Sequence, residues 1–289
     1  MDYQGHIIRP PSEAGSIILQ VTVGCSHNKC TFCGAYKGQR FTIKNDDILS
    51  RDIAFAARHY RNRRRMFLCD GDVMIVPHQR LLRILAEIRE ILPWITRVGI
   101  YANAKSLKCR TIQELRELKA LGLGIVYMGL ESGDDATLEN VCKSVSSADI
   151  IAQGRKVRQS GIKLNVTVIL GLAGPERSDV HARETGRALS DMNPDHVGAL
   201  TLMLIPGTSL HRDWEAGRFI LMEPKDLLKE LRTMIVHTHL SRGLFFANHA
   251  SNYLPIRARM PRDKESTIRL IDCALDEQIP LKPDWMRAL

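Results

Sequence analysis

The chain has 289 residues, 44% of them hydrophobic and 25% charged, with a formal net charge of +9. This is an ordinary globular composition, long enough for one large α/β barrel or two small domains. No apolar run approaches the about 20 residues of a spanning helix. The seven cysteines, without an apolar signal region, suit a reducing cytoplasm rather than a disulfide-stapled secreted fold.

In chain order, Met1 to Ser16 reads as a polar, extended lead-in and Ile17 to Val23 as a strand. Apolar spacing predicts a helix over Asp46–Tyr60 with Asn45 as N-cap. Met66–Cys69 is a short buried strand, and Pro77 opens a helix running to Ile91. A strand over Arg97–Tyr101 precedes a helix over Thr111–Leu121, with Thr111 and Glu114 spaced as a capping box. Strand Gly124–Leu130 is followed by helix Ser147–Ser160, which stops at Gly161. Strand Ile162–Leu170, helix Glu176–Met192, strand His196–Leu204 and helix Glu223–Leu240 complete six strand–helix units. A final helix spans Lys264–Leu275. Strict alternation of this kind argues a parallel sheet with helical crossovers. Runs such as Val166 to Leu170 suit strands covered on both faces. Periodicity alone does not choose between an open sheet and a barrel.

The first strand runs into Gly24-Cys25-Ser26-His27-Asn28-Lys29-Cys30-Thr31-Phe32-Cys33, three cysteines within nine residues. Cysteine thiolates hold iron–sulfur clusters, ordinarily four at a time, so three leave one iron of a 4Fe–4S cube open to a small molecule. The rival ligand is zinc, taken by the same cysteines and His27 as a Cys3His site, although structural zinc sites usually draw on two separated ligand pairs. Cys69, Cys109, Cys142 and Cys273 are isolated and read as core or surface residues.

The cysteine loop resembles that of the radical S-adenosylmethionine (radical SAM) enzymes. It has four residues between the first two cysteines where the commonest pattern has three. The second gap, Thr31-Phe32, and the aromatic residue before the last cysteine match. The resemblance implies a partial (β/α)6 TIM-like barrel, here as a core over 17–242 after a lead-in over 1–16, with a C-terminal extension over 243–289 packed on it. It also implies a 4Fe–4S cluster on Cys25, Cys30 and Cys33, and SAM as the second cofactor.

In parallel α/β folds ligands lie at the carboxyl ends of strands, and the resemblance extends to those ends, over about Ile17 to Leu210. Phe32 packs on the adenine, shields the cluster or simply anchors its loop. Asp70-Gly71-Asp72 stands where the family has a Gly-rich acidic motif, which implies that Gly71 and Asp72 receive the SAM amino group through backbone carbonyls; a plain turn is the alternative. Asn103 either faces the site or forms a turn. Gly129-Leu130-Glu131-Ser132-Gly133 is similar to the family's Gly-[Ile/Leu]-Glu-Ser-Gly segment, which implies ribose binding by Glu131 and a SAM contact by Ser132. An ionised carboxylate is purely an acceptor, as two vicinal hydroxyls require. Lys143 or Arg155 would hold the SAM carboxylate, with Arg155 preferred for its bidentate fork. Gly171 and Leu172 fall in an adenine-side glycine motif. Ile205 opens the Ile-Pro-Gly-Thr segment, which resembles the Pro-Gly-Thr stretch of the Elp3, HemN and MiaB-like group.

The implied function is reductive cleavage of SAM to a 5′-deoxyadenosyl radical that abstracts hydrogen from a small-molecule substrate, with a flavodoxin or ferredoxin as electron donor. Asn248, His249, Asn252 and Tyr253 would line the substrate pocket or cap a connection. Two alternatives stay open. One is action on RNA, supported by the charge and the run Arg58 to Arg65, which a helix end explains equally. The other is a non-catalytic iron–sulfur or zinc binding module.

Overall fold

The computed structural model describes residues 1–288. Strand β1 (Ile17–Gln20) begins the main sheet, and β2 (Thr22–Val23) pairs antiparallel with β3 (Thr42–Ile43) in a small second sheet. The expected strand over 17–23 is therefore broken at Val21. There the chain leaves β4 for β3: Val21 N–H still reaches Cys69 O, while its carbonyl accepts from Lys44 N. Helix α1 (Asp46–His59), capped by Asn45, leads to β4 (Arg65–Cys69) and α2 (His78–Ile91). Then come β5 (Arg97–Ala102), a short α3 (Ala104–Lys108) and α4 (Ile112–Ala120) with the Thr111/Glu114 capping box formed. The chain continues through β6 (Leu123–Glu131), α5 (Asp135–Asn140), α6 (Ser147–Gln159), β7 (Lys163–Leu170), α7 (Gly174–Met192) and β8 (His196–Thr201). It ends with α8 (Ser209–Glu215), α9 (Pro224–Val236), β9 (Gly243–Ala247), β10 (Ile256–Met260) and α10 (Lys264–Leu275).

The main sheet has the order β1-β4-β5-β6-β7-β8-β9-β10. Its first six strands follow one another as the partial (β/α)6 barrel expected, an α/β fold. The segment after Arg242 does more than pack on the sheet. It adds β9 parallel to β8 and β10 antiparallel to β9.

The chain divides into two compact units, residues 1–28, 35–128 and 156–164 in one and residues 29–34, 129–155 and 165–289 in the other. In the first unit the strand register puts Ile18, Phe67, Gly99 and Ile125 in one row and Gln20 and Cys69 in the next, with Tyr101 beside Tyr127. Because successive side chains alternate faces, all of these share one face. Phe67 is fully buried there, edge-on to both Tyr101 and Tyr127. Gly99 makes room for the rings: a Cβ would lie 3.2 Å from Phe67 Cδ2. The opposite face carries Leu19, Met66, Leu68, Ile100 and Val126, also fully buried. Helix α1 packs on β1 and on α2, and α2 on α4.

The lead-in is not loose. Tyr3 donates to Ile18 O (2.9 Å), Gln4 N–H to Gln20 Oε1 (2.8 Å) and Ile8 N–H to Asp70 Oδ1 (3.2 Å). Ile7 packs on the Phe67 cluster, and Glu13, fully buried, accepts from Tyr127 and pairs with Arg97. Residues 2–13 thus cover the aromatic face of the sheet.

In the second unit, α7 and α9 pack closely, with Gly186 at the crossing: a Cβ there would meet Met234 O at 2.7 Å. The apolar stripe of α9, Leu227, Leu228, Leu231, Met234 and Ile235, is buried.

Candidate active site

In the first unit the turn after β4 is built against the start of the cysteine loop. A Cβ on Gly71 would come within 2.9 Å of both Cys25 Cβ and Tyr36 Cε2, so only glycine fits beside Cys25. Asp70 turns back into the fold, where it accepts from Gln20 Nε2 (2.7 Å), Ile8 N and Tyr36 OH. Burial raises its pKa above the usual carboxylate range against these hydrogen bonds.

Asp72 is buried completely. Its carboxylate accepts from Ser26 Oγ (2.6 Å), Asn103 Nδ2 (2.7 Å), Ser106 Oγ (2.7 Å) and Asn103 N (3.3 Å). Desolvation pushes its pKa up, opposed by these four donors. The side chain therefore ties the residue after Cys25 to the ends of β4 and β5. Asn103, read either as facing the site or as forming a turn, caps α3 by accepting from Ser106 N (2.9 Å) and spends its amide on Asp72 and Ser26. Asp72→Ala leaves these donors without their acceptor. We expect it to cost about 1–3 kcal/mol per stranded buried group and to weaken retention of iron. Thermal unfolding and metal analysis measure the two effects, and an unchanged melting midpoint would discount the hub.

In the second unit the rest of the cysteine loop is pinned on both sides. Thr31 N–H donates to Val141 O (3.0 Å) and its carbonyl accepts from Leu210 N (3.1 Å). Phe32 packs against the cluster of Val141, Leu172, Leu202 and Leu210, which brings Phe32 and Leu172 together. Ile205 sits on the backbone after Cys33, since a Cβ on Gly34 would lie 2.5 Å from its Cγ2. Cys25, Cys30 and Cys33 are all partly exposed thiols.

Glu131 has a left-handed backbone (φ 65°), and its carboxylate folds over Gly129, where a Cβ would meet Oε1 at 2.0 Å. Lys143 Nζ lies 2.7 Å from that oxygen. The cation beside Glu131 is thus Lys143. Arg155, preferred on chemical grounds, points elsewhere: it is 52% exposed and binds Asp191 through both its carbonyl (2.6 Å) and its carboxylate (3.1 Å). Helical spacing from Ser147 did not reveal which way Arg155 faces.

Ser132 is buried against α7, with Oγ 2.7 Å from His181 Nδ1. Gly133 N donates to Thr185 Oγ1 (2.8 Å), and Arg177 grips Asp134 with two hydrogen bonds (3.0 and 2.8 Å). Gly171, at φ 79°, donates its N–H to Glu230 Oε1 (2.7 Å). His181 and Glu230 escaped the sequence reading. Their signal was an ionisable residue inside an apolar stripe, His181 beside Ala182, Thr185 and Leu189, and Glu230 among Leu227, Leu231 and Met234.

The expected substrate residues of the tail turn to the fold. Asn252 accepts from Thr201 Oγ1 (2.8 Å) and donates to Ala199 O (2.9 Å). Tyr253 donates to Asp284 (2.6 Å) beneath the Arg287 guanidinium, and burial with this bond pushes its phenol up to about 12. Asn248, with its amide oriented to satisfy both groups, accepts from Arg257. His249, half-buried, has Nδ1 held by Ser251 Oγ (2.9 Å) and N–H (3.2 Å), and burial lowers its pKa.

The family model described as the Radical SAM superfamily matches residues 19–187. An uncharacterised protein of Methanocaldococcus jannaschii is 27% identical over 279 residues, covering 93% of this chain and 79% of that protein. Among solved structures, the radical SAM methyltransferase TsrM from Kitasatospora setae aligns with a TM-score of 0.56 at 18% identity, over 68% of this chain and 38% of that one. Coproporphyrinogen III oxidase (HemN) from Escherichia coli gives 0.57 at 17% identity, over 76% of this chain and 51% of that one. Methylornithine synthase (PylB) gives 0.55 at 15% identity, over 78% and 63%. The chain spans between 38% and 63% of the length of these solved chains, and at such identities they show a shared fold.

Proposed function

Because the chain belongs to the radical SAM superfamily, we propose that Cys25, Cys30 and Cys33 bind its 4Fe–4S cluster and that its substrate is a small molecule. The protein is a radical SAM enzyme, with the cluster and SAM as its cofactors. Family membership favours iron–sulfur over a Cys3His zinc site and catalysis over a passive binding module. The donor set fits: three partly exposed thiols suit an iron–sulfur cluster that keeps one open corner. When bound, the cluster supplies the electron that cleaves SAM to a 5′-deoxyadenosyl radical able to abstract hydrogen.

The observation that carries the assignment is how the cysteine loop is fixed. Gly71 abuts Cys25 and Asp72 holds Ser26, while Thr31 is tied to Val141 and Leu210. Each of these contacts fixes backbone at or next to a cysteine within its own unit. We assign the backbone of Gly71 and Asp72 to the SAM amino group. Lys143 would serve the carboxylate, Glu131 the ribose hydroxyls, and Phe32, Leu172 and Ile205 the apolar flanks of adenine. Bare backbone at Gly171 admits close approach of the base. Ser132 acts from behind Glu131, since its hydroxyl is engaged with His181.

We read the substrate as a small molecule rather than RNA because part of the basic run is engaged locally, although Arg58, Arg61, Arg63 and Arg64 are exposed. Arg63 donates to Gly15 O, Arg65 to Ser12 O, and Arg61 stacks over Trp94 at 5.7 Å. A flavodoxin or ferredoxin is the proposed electron donor. The test is anaerobic reconstitution with SAM and dithionite, assaying 5′-deoxyadenosine against fractions of a metabolite extract. Release is expected to rise with a low-molecular-weight fraction. Stimulation by RNA that falls steeply with salt would instead move the reading to a nucleic-acid substrate.

A further inference from the structure

Two turns assigned above to the nucleoside half of SAM, at Ser132 and Gly171, end different strands, yet both lead to the same buried pair of side chains. Ser132 Oγ meets His181 Nδ1 at 2.7 Å, and His181 Nε2 lies 3.5 Å from Glu230 Oε1. The same Glu230 oxygen accepts the Gly171 N–H at 2.7 Å, and its other oxygen accepts from Ser178 in the first turns of α7. His181 and Glu230 have side chains with no solvent exposure. The imidazole stands on α7 and the carboxylate on α9, two helices in close contact through Gly186.

We propose that His181 and Glu230 are positioning residues that set the spacing of the Ser132 and Gly171 turns and so determine affinity for the nucleoside half of SAM. The proposal rests on the SAM site assigned above. Burying an ionisable pair is costly unless its hydrogen bonds are made; here one bond from each residue goes to one of these turns, a further one joins Glu230 to Ser178, and His181 Nε2, facing Glu230, makes none. Ser132 Oγ also accepts from Asp134 N–H (3.0 Å), so its hydroxyl is held from both sides. Burial holds His181 down at about 4, so the ring is neutral near pH 7 and has one nitrogen that donates and one that accepts. The backbone leaves little slack elsewhere. A Cβ on Gly133 would strike Glu184 O at 2.2 Å, and one on Gly171 would meet Leu227 Cδ2 at 2.8 Å.

The test compares the parent, Glu230→Ala, Glu230→Gln, His181→Ala and His181→Gln, each reconstituted without oxygen. Equilibrium binding of S-adenosylhomocysteine and of 5′-methylthioadenosine is measured, alongside iron content and the thermal melt. Gln at 230 keeps an acceptor for Gly171 and a group for Ser178. Glu230→Ala and His181→Ala are expected to bind both nucleosides about tenfold more weakly, the scale of one buried hydrogen bond, with iron content unchanged. Glu230→Gln is expected to stay close to the parent. If an alanine variant fails to fold, the glutamine variant decides: His181→Gln is expected to lose part of the affinity, because its amide cannot span both neighbours as the ring does. Parent-like nucleoside affinity in folded His181 variants and in Glu230→Ala overturns the proposal, as does a loss of iron equal to the loss of nucleoside. A parent that holds iron and binds neither nucleoside overturns the SAM-site assignment itself, and the proposal with it.

Discussion

Cys30→Ala protein, reconstituted without oxygen, is expected to retain little iron and to release no 5′-deoxyadenosine with SAM and dithionite. With three thiolates in the loop, a cluster already has one corner without a protein ligand, and removing a second ligand leaves two of the ordinary four. The fold should survive. The loop backbone is held by Thr31 to Val141 and Leu210, and by Phe32 in its apolar cluster, none of which uses the Cys30 thiol. A small shift in melting temperature beside a full loss of iron and of SAM cleavage is therefore the expected pattern. Cys109, an exposed thiol outside the loop, supplies the control: Cys109→Ala should keep both. Full iron and normal turnover in Cys30→Ala would remove Cys30 from the ligand set.

The second large effect is expected at Glu131. Its carboxylate is held in place by Lys143 at 2.7 Å, with only 13% and 11% of the lysine and glutamate side chains exposed. Hydrogen bonds to a charged group contribute about 1.5–3 kcal/mol each. Glu131→Ala should thus weaken S-adenosylhomocysteine binding from about tenfold to over a hundredfold. Gly129→Ala supplies an independent route to the same result, because the new methyl would stand 2.0 Å from Oε1 and 3.0 Å from Lys143 Nζ and displace the carboxylate without removing it. Equilibrium binding to the iron-loaded protein measures both. Parent-like affinity in the two variants together would take Glu131 out of the nucleoside site.

Much of the fold was legible because alternation of strand and helix has a period that the apolar residues record. The capping box at Thr111, the Asn45 cap and the stop at Gly161 are local devices that use neighbouring residues, and they stand where expected. Short elements were not legible. Helices α3 and α5 are 5 and 6 residues long, too brief for a 3.6-residue period to register. Strand β10 alternates Ile256, Ala258 and Met260 inward with Arg257 and Arg259 outward, and its arginines hid it in a basic stretch. The end of β8 was placed three residues late because Leu202 and Leu204 are apolar for another reason, the cluster around Phe32.

The candidate site divides along the same line. Its residue types, three cysteines, a glycine turn and a Gly-Leu-Glu-Ser-Gly segment, stand in the sequence because each is dictated by the chemistry of a thiolate, a close backbone approach or an acceptor. Which polar groups remain available for a ligand is a different matter. The sequence alone determined the strand–helix order, the cysteine loop and the motifs at the strand ends, all of which depend on residues close together in the chain. Only the tertiary structure decided that Asp72 and Asn103 hold each other, that Arg155 faces Asp191 while Lys143 meets Glu131, that Asn252 and Tyr253 brace the tail, and that His181 with Glu230 joins two turns. The physical reason is that a buried hydrogen-bonding group must find a partner. For Asp72, Glu230 and Asn252 that partner lies 31, 59 and 51 residues away, beyond anything local spacing encodes.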